Sequence, residues 1–121
     1  MPRPTLEESR IHPAIRDKVS THQQGILKEV RDAVAANAVV VVGMGLNPFP
    51  RKARKLLDDA GIPHQYLEYG NYLNNWRERN ALKMWTGWPT LPMVFVKGAL
   101  VGGFTDLEKL AKSGELKKLL A

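Results

Sequence analysis

The sequence predicts an α/β fold: a mixed four-stranded sheet flanked by helices, preceded by an N-terminal helical extension. Two features of the chain support this fold class. Segments whose apolar residues recur at helical spacing alternate with short β-branched runs, as is typical of helices packed on both faces of a sheet. The last two predicted strands are separated only by Lys97-Gly98, so they are expected to pair as a hairpin. A hairpin added to alternating strands and helices makes the sheet mixed.

Two helices are predicted at the N-terminal end of the chain. His12-Pro13 favours a short helix that ends near Ser20, because proline suits the first helical turn. Thr21 and Gln24 have the spacing of a capping box. Apolar residues follow this pair at helical spacing, so an amphipathic helix is expected from Thr21 to about Asn37.

Two strands and a helix are predicted in the middle of the chain. The run Ala38–Val42 is apolar at every position, which indicates a central strand buried on both faces. A helix is expected next, up to Gly61, since glycine commonly ends helices. A shorter and more polar strand is expected within Ile62–Tyr69.

The last third of the chain is predicted to hold a helix and the hairpin. Asn71 is expected to cap a helix that ends before Gly87. The two strands of the hairpin are assigned to Pro92–Val96 and Ala99–Val101.

A final helix is expected after the hairpin. Thr105 and Glu108 have capping-box spacing and are predicted to open it. Ser113-Gly114 is expected to break this helix, and Glu115–Ala121 to continue as a further helical segment.

Composition limits what the protein can do. The chain has 121 residues, the size of one ordinary domain, and no cysteine, which excludes disulfides, thiolate metal ligands and thiol nucleophiles. The three histidines lack metal-ligand spacing, so no metal site is predicted. The longest apolar run is far shorter than the roughly 20 residues of a membrane span. Without a secretory signal, the expected location is the cytoplasm.

The net charge of +6 lies in the second half of the chain, and four of its cations cluster within Arg51–Lys55. Such a cluster is either the solvated face of a helix or a surface for acidic partners or nucleic acid. No aromatic residues are interleaved with these cations, which disfavours nucleic acid. A protein partner remains open and is not identified by the sequence.

The segment between the third predicted helix and the last one resembles the monothiol glutaredoxins. It reads Lys83-Met84-Trp85-Thr86-Gly87-Trp88-Pro89-Thr90-Leu91-Pro92, then Met93-Val94-Phe95-Val96-Lys97-Gly98, then Leu100-Val101-Gly102-Gly103. That family has a lysine near the end of the helix that precedes the hairpin, which corresponds to Lys83. It also has a W-P-T-x-P segment with a cis-proline and a K-G-x-L-x-G-G hairpin. The resemblance implies a thioredoxin-like fold, with residues 21–121 as a glutaredoxin-like domain and residues 1–20 as an extension.

The resemblance fails at the residues that carry the family's chemistry. Where the family has C-G-F-S or C-P-Y-C, this chain has Asn47-Pro48-Phe49-Pro50. Asn47 therefore occupies the position of the nucleophilic cysteine and Pro50 that of the resolving residue, and Met44 is nearest to a lysine that precedes the family's cysteine. Thiol–disulfide exchange requires a thiolate, and ligation of an iron–sulfur cluster by the protein requires one too. Neither reaction is open to Asn47.

Asn47-Pro48 has two interpretations. Asparagine is among the best N-caps and proline suits the first helical position, so the pair is typical of an ordinary helix start. Alternatively, the positive end of the helix dipole still serves as an anion site.

The resemblance also implies a binding site for glutathione. Lys83 would meet the glycyl carboxylate. The backbone of Leu91, held by a cis-Pro92, would pair with the main chain of the tripeptide. Gly103 would permit close approach, and the backbone N–H groups of Thr105 and Asp106 would receive the γ-glutamyl carboxylate.

The sequence thus predicts a glutaredoxin-related module without a catalytic residue, which binds glutathione or a similar anionic peptide. Glutathione is the candidate ligand or cofactor, and the sequence identifies no other cofactor. Two alternatives remain: a redox or iron–sulfur-related protein that uses the thiol of bound glutathione, and an interaction module with no small ligand.

Overall fold

The computed structural model describes residues 3–21, 23–70 and 76–121. The helices and strands follow in one order along the chain. They are α1 (Pro13–Thr21), α2 (Gln24–Ala36), β1 (Val39–Gly43), α3 (Pro48–Asp59), β2 (Gln65–Glu68), α4 (Trp76–Thr86), β3 (Met93–Val96), β4 (Ala99–Gly102), α5 (Phe104–Ser113) and α6 (Glu115–Leu120). This order confirms the sequence-based expectation, and a 3-10 turn at Glu8–Arg10 was not predicted.

The four strands form one mixed sheet in the order β2-β1-β3-β4. Strand β1 pairs parallel with β2 and antiparallel with β3, and β3 pairs antiparallel with β4. The mixed sheet and its terminal hairpin are therefore confirmed. All five residues of β1 are buried, as expected for the apolar run that forms it.

The core has two parts, one on each face of the sheet. Successive side chains of a strand point to opposite faces, so Val40 and Val42 pack on one face and Val39 and Val41 on the other. The first face is covered by apolar residues of α2 and α4, including Val30 and Leu82. The second face is covered by apolar residues of α3, α5 and α6: Ala53, Leu57, Leu107 and Leu116.

The N-terminal boundary of α2 differs from the prediction. Thr21 ends α1, and the N-cap of α2 is Gln23, in the left-handed region with φ 51°. The capping-box pattern of Thr21 and Gln24 was therefore misassigned, because the chain needs a turn between two separate helices at this point.

Strand β2 lies inside the range predicted for it, Ile62–Tyr69. Strand β2 is limited to Gln65–Glu68, because Pro63 has no N–H to give to a ladder. The predicted cap Asn71 lies outside the described residues. Within the described ranges, no helix is both long and apolar enough to span a membrane.

Candidate ligand-binding site

One cavity, of about 520 Å³, gathers the residues that the sequence predicted to form a site. It lies between the start of α3, the loop before β3 and the start of α5. Its lining residues include Asn47, Lys83, Leu91, Pro92, Gly103, Thr105 and Asp106. These residues come from four separate stretches of the chain, so the fold brings them together.

Asn47 makes two hydrogen bonds that connect opposite walls of the cavity. Its Oδ1 accepts from the backbone N–H of Phe49 at 3.0 Å, so Asn47 is the N-cap of α3, as its residue type predicted. Its Nδ2 donates to the carbonyl oxygen of Leu91 at 3.3 Å. The second bond spans 44 positions of sequence and could not be predicted from a local motif. Asn47 therefore braces the loop that precedes cis-Pro92.

The start of α3 has few donors for an anion. The first-turn N–H groups of a helix lack intrahelical acceptors and normally create an anion site. Here Pro48 and Pro50 have no N–H, and the N–H of Phe49 is already taken by Asn47. Of the two interpretations of Asn47-Pro48, the structure favours the capped helix start over the anion site.

Pro50 also has a packing role. It is buried against the end of β1, where Gly43 leaves room for it. A Cβ on Gly43 would lie 2.7 Å from the Cβ of Pro50, which is too close for two carbon atoms. Gly43 and Pro50 therefore set how near the start of α3 can approach the sheet.

Lys83 lies in the last turn of α4, half-buried, and lines the cavity. Within residues 3–21, 23–70 and 76–121, neither a hydrogen bond nor an ion pair engages its Nζ. A half-buried ammonium group at the wall of a cavity is suited to a carboxylate.

The loop before β3 forms a second wall. The Leu91–Pro92 peptide bond is cis, as predicted. Leu91 and Pro92 are both buried, and both line the cavity. In the same loop Trp88 buries its indole N–H, which finds no acceptor among the described residues.

The start of α5 forms the third wall, and its cap differs from the prediction. Gly103 is the N-cap, and the Asp106 carboxylate accepts the Gly103 N–H at 3.1 Å. Thr105 is therefore inside the first turn, and the predicted capping box with Glu108 is wrong. The reason is geometric: Gly102, with φ 114°, turns the chain sharply enough for the helix to begin at Phe104.

Although the N-cap of α5 is Gly103, the backbone N–H groups predicted to bind a carboxylate still lie in the first turn of this helix. The N–H groups of Phe104, Thr105 and Asp106 belong to the first turn and have no acceptor within the helix. Gly103 lies close to the loop, since a Cβ there would be 3.4 Å from the carbonyl oxygen of Pro92. The start of α5 thus provides N–H donors beside one carboxylate.

Sequence reasoning missed the apolar part of the cavity. Phe49 and Phe104 line it with their ring centroids 6.3 Å apart, and the Lys52 ammonium is 5.0 Å from the centroid of Phe49. Met44 also lines it. The available signal was that Phe49 lies two positions after Asn47 and that Phe104 follows Gly103 directly. The described residues include no group of three His, Asp or Glu side chains placed to hold a metal ion.

Comparisons with known proteins agree with this architecture. A family model described as Glutaredoxin matches residues 46–101. A glutaredoxin-like protein of Dictyostelium discoideum is 41% identical over 102 residues, which cover 84% of this chain and 83% of the relative. The crystal structure of a mutated buckwheat glutaredoxin aligns with a TM-score of 0.74 at 26% identity, covering 84% of this chain and 92% of the other.

A second solved structure holds a ligand. It is the buckwheat glutaredoxin–glutathione complex, which aligns with a TM-score of 0.70 at 25% identity and covers 82% of this chain and 90% of the other. The fold is therefore the thioredoxin-like fold of the glutaredoxins. Given the identity and coverage of the Dictyostelium relative, this cysteine-free chain belongs to the glutaredoxin family.

Proposed function

We propose that this chain is a non-catalytic glutaredoxin that binds glutathione, or a similar anionic γ-glutamyl peptide, in the cavity described above. The observation that carries the proposal is that Lys83, whose ammonium has no partner among the described residues, and the start of α5 line one cavity. Glutathione has a carboxylate at each end, which suits two separate donor groups. A related buckwheat protein is known in complex with glutathione, so this tripeptide is the first ligand to test.

Each part of the tripeptide has a complementary group in the cavity. Lys83 is suited to the glycyl carboxylate, and the first-turn N–H groups of α5 to the γ-glutamyl carboxylate. The Asp106 carboxylate beside those donors suits the α-ammonium group of the same residue. Between them, the backbone of Leu91 can pair with the peptide. Its carbonyl oxygen already accepts from Asn47 but keeps a second lone pair.

The function is non-catalytic because nothing in the chain can form the covalent intermediate. The carboxamide of Asn47 is neither ionisable nor a useful nucleophile, and the sequence has no cysteine to replace it. We expect no glutathione-dependent reduction of a mixed disulfide above the uncatalysed rate. Turnover by protein that mass spectrometry shows to be free of contaminating glutaredoxin would instead support redox chemistry through the thiol of bound glutathione.

An NMR titration with glutathione tests the binding directly. The amide signals of Leu91, Gly103 and Thr105 should shift, and Lys83→Gln should weaken the affinity about tenfold through loss of a charge-assisted hydrogen bond. Lys117→Gln is the matched control, because Lys117 is an exposed lysine of α6 outside the cavity. Absence of shifts at millimolar glutathione would contradict the proposal.

The basic face of α3 favours a second function, docking of an acidic protein segment. Arg51, Lys52 and Lys55 are exposed, and no carboxylate of the described residues pairs with them. Cations in the first half of a helix also oppose its dipole, and the first turn of α3 has no acidic residue to offset them. Salt-sensitive capture of an acidic peptide, lost in a triple glutamine variant of these residues, would support this function.

A further inference from the structure

The wall of the cavity around Asn47 presents almost no polar atoms to a ligand. Both polar atoms of the Asn47 side chain are engaged, one with the Phe49 N–H and the other with the Leu91 carbonyl. Pro48 and Pro50 have no N–H to offer. The Asn47 carboxamide therefore offers a ligand only the second N–H of its Nδ2 and the second lone pair of its Oδ1, and it is not a nucleophile.

The same wall is lined by apolar side chains. Met44, Pro48 and Phe49 line the cavity on the α3 side, and Phe104 lines it from α5. Phe49 keeps 45% of its surface exposed, although its ring packs against Phe104. Leu46, next to Asn47, is 74% exposed at a positive φ of 63°, which is unusual for a leucine. These exposed apolar surfaces would gain free energy if a ligand covered them.

The orientation of a γ-glutamyl tripeptide directs its middle side chain to this wall. Lys83 and the start of α5 suit the two terminal carboxylates, which leaves the middle residue near Asn47.

We propose that the cavity binds γ-glutamyl peptides with an apolar group on the middle residue more tightly than it binds glutathione. S-alkyl and S-aryl conjugates of glutathione are such peptides. This inference rests on the proposed function. A free thiol would leave this apolar surface uncovered, whereas an alkyl chain would cover Phe49 and its neighbours. The replacement of cysteine by Asn47 would then have changed the ligand class as well as removing the reaction.

The test compares the affinities of glutathione and S-hexylglutathione by isothermal titration calorimetry. Partial burial of six methylene or methyl carbons should make S-hexylglutathione bind about tenfold more tightly. Phe49→Ala should reduce this ratio to about twofold or less, because it removes the largest apolar side chain that lines the cavity on the α3 side. Leu119→Ala should leave the ratio unchanged, since Leu119 has the same 45% exposure but lies on α6, outside the cavity.

The other outcomes separate this inference from the function on which it rests. Equal affinities of glutathione and S-hexylglutathione would overturn the preference and leave the proposed function standing. Failure of both ligands to bind would overturn the proposed function, and the preference with it. S-hexylcysteine, which lacks both terminal residues, should bind at least about tenfold more weakly than S-hexylglutathione because it loses the contacts to the terminal carboxylates. Equal binding of these two compounds would show non-specific adsorption of the alkyl chain and would also overturn the preference.

Discussion

At the scale of single residues, Asn47 and Pro50 change this site in different ways. Asn47 removes the nucleophile, and its carboxamide then bonds to both sides of the cavity. Pro50 removes a backbone N–H from the first helical turn and packs against Gly43. Restoring a cysteine alone would therefore restore only part of the environment that lowers a thiol pKa, because position 50 still has no N–H to donate.

A pair of variants tests this difference. In Asn47→Cys, the thiolate can accept one N–H bond, from Phe49, so its pKa should fall below the usual value of about 8.5. In Asn47→Cys with Pro50→Ala, the new N–H at position 50 should lower the thiol pKa further, by about one unit. Thiolate absorbance during a pH titration measures both values.

The Asn47→Cys variant also needs a control for stability. Loss of the asparagine cap should lower the free energy of unfolding by about 1 kcal/mol, a small part of the stability of a typical domain. A cysteine placed at exposed Lys55 on the same helix provides the reference thiol pKa. Equal thiol pKa values in all three proteins would show that the start of α3 no longer favours an anion.

For single residues, the sequence predicts local features such as helix caps, because these depend on residue type. It does not predict contacts between residues that are distant in sequence, because these depend on the fold. The cap formed by Asn47 follows from a local preference for asparagine before proline. Its bond to Leu91 depends on how the loop before β3 folds against α3. The apolar pair of Phe49 and Phe104 likewise forms only when two distant helix starts meet.

At the scale of elements, hydrophobic periodicity predicts the helices and strands better than it predicts their ends. The continuous apolar run of β1 indicates a buried strand, and the two short apolar runs around Lys97-Gly98 indicate the hairpin of β3 and β4. Capping-box spacing is less specific, because serine or threonine three residues before an acid or amide also occurs inside helices. Thr105 has this spacing but lies within α5.

The contact between α2 and the end of β2 provides a test at the scale of elements. The Tyr69 hydroxyl donates to Glu29 Oε1 at 2.6 Å, and burial together with this bond raises the pKa of Tyr69 above its usual value of about 10. Tyr69→Phe should lower the free energy of unfolding by about 1 kcal/mol at neutral pH. A double-mutant cycle with Glu29→Ala, which removes the acceptor, isolates the bond from other effects when stability is measured by urea denaturation.

The pH dependence of this contact has a definite sign. Because the pKa of Tyr69 is raised in the folded state, its contribution to stability is complete below about pH 10, where the unfolded tyrosine is still protonated. Above that pH, only the unfolded tyrosine ionises, so the contribution falls as pH rises. The stability difference between the wild type and Tyr69→Phe should shrink in the same range. A constant difference up to pH 11 would contradict the assignment.

At the scale of the whole molecule, the N-terminal segment contacts the element that carries part of the cavity. Arg3 Nη2 donates to the carbonyl oxygen of Trp85 at 3.2 Å, near the C-terminal end of α4. The guanidinium group also covers Gly87, since a Cβ there would lie 2.9 Å from Arg3 Nη1. The sequence predicts residues 1–20 as an extension but not this contact, because 82 positions separate its partners.

Removing this contact should loosen the end of α4 and the loop that follows it. A cation beside the last carbonyls of a helix stabilises them through the hydrogen bond and the helix dipole. The Gly87 N–H donates to the Lys83 carbonyl at 2.8 Å and reports on this region. In Arg3→Ala, hydrogen exchange of this N–H should be about threefold to fivefold faster than in the wild type. That increase corresponds to a loss of about 1 kcal/mol of local stability. Arg10→Ala is the matched control, because Arg10 is exposed in the same segment and its side chain makes no hydrogen bond or ion pair with another described residue. If both variants exchange at the wild-type rate, the N-terminal segment does not stabilise the loop that leads to cis-Pro92.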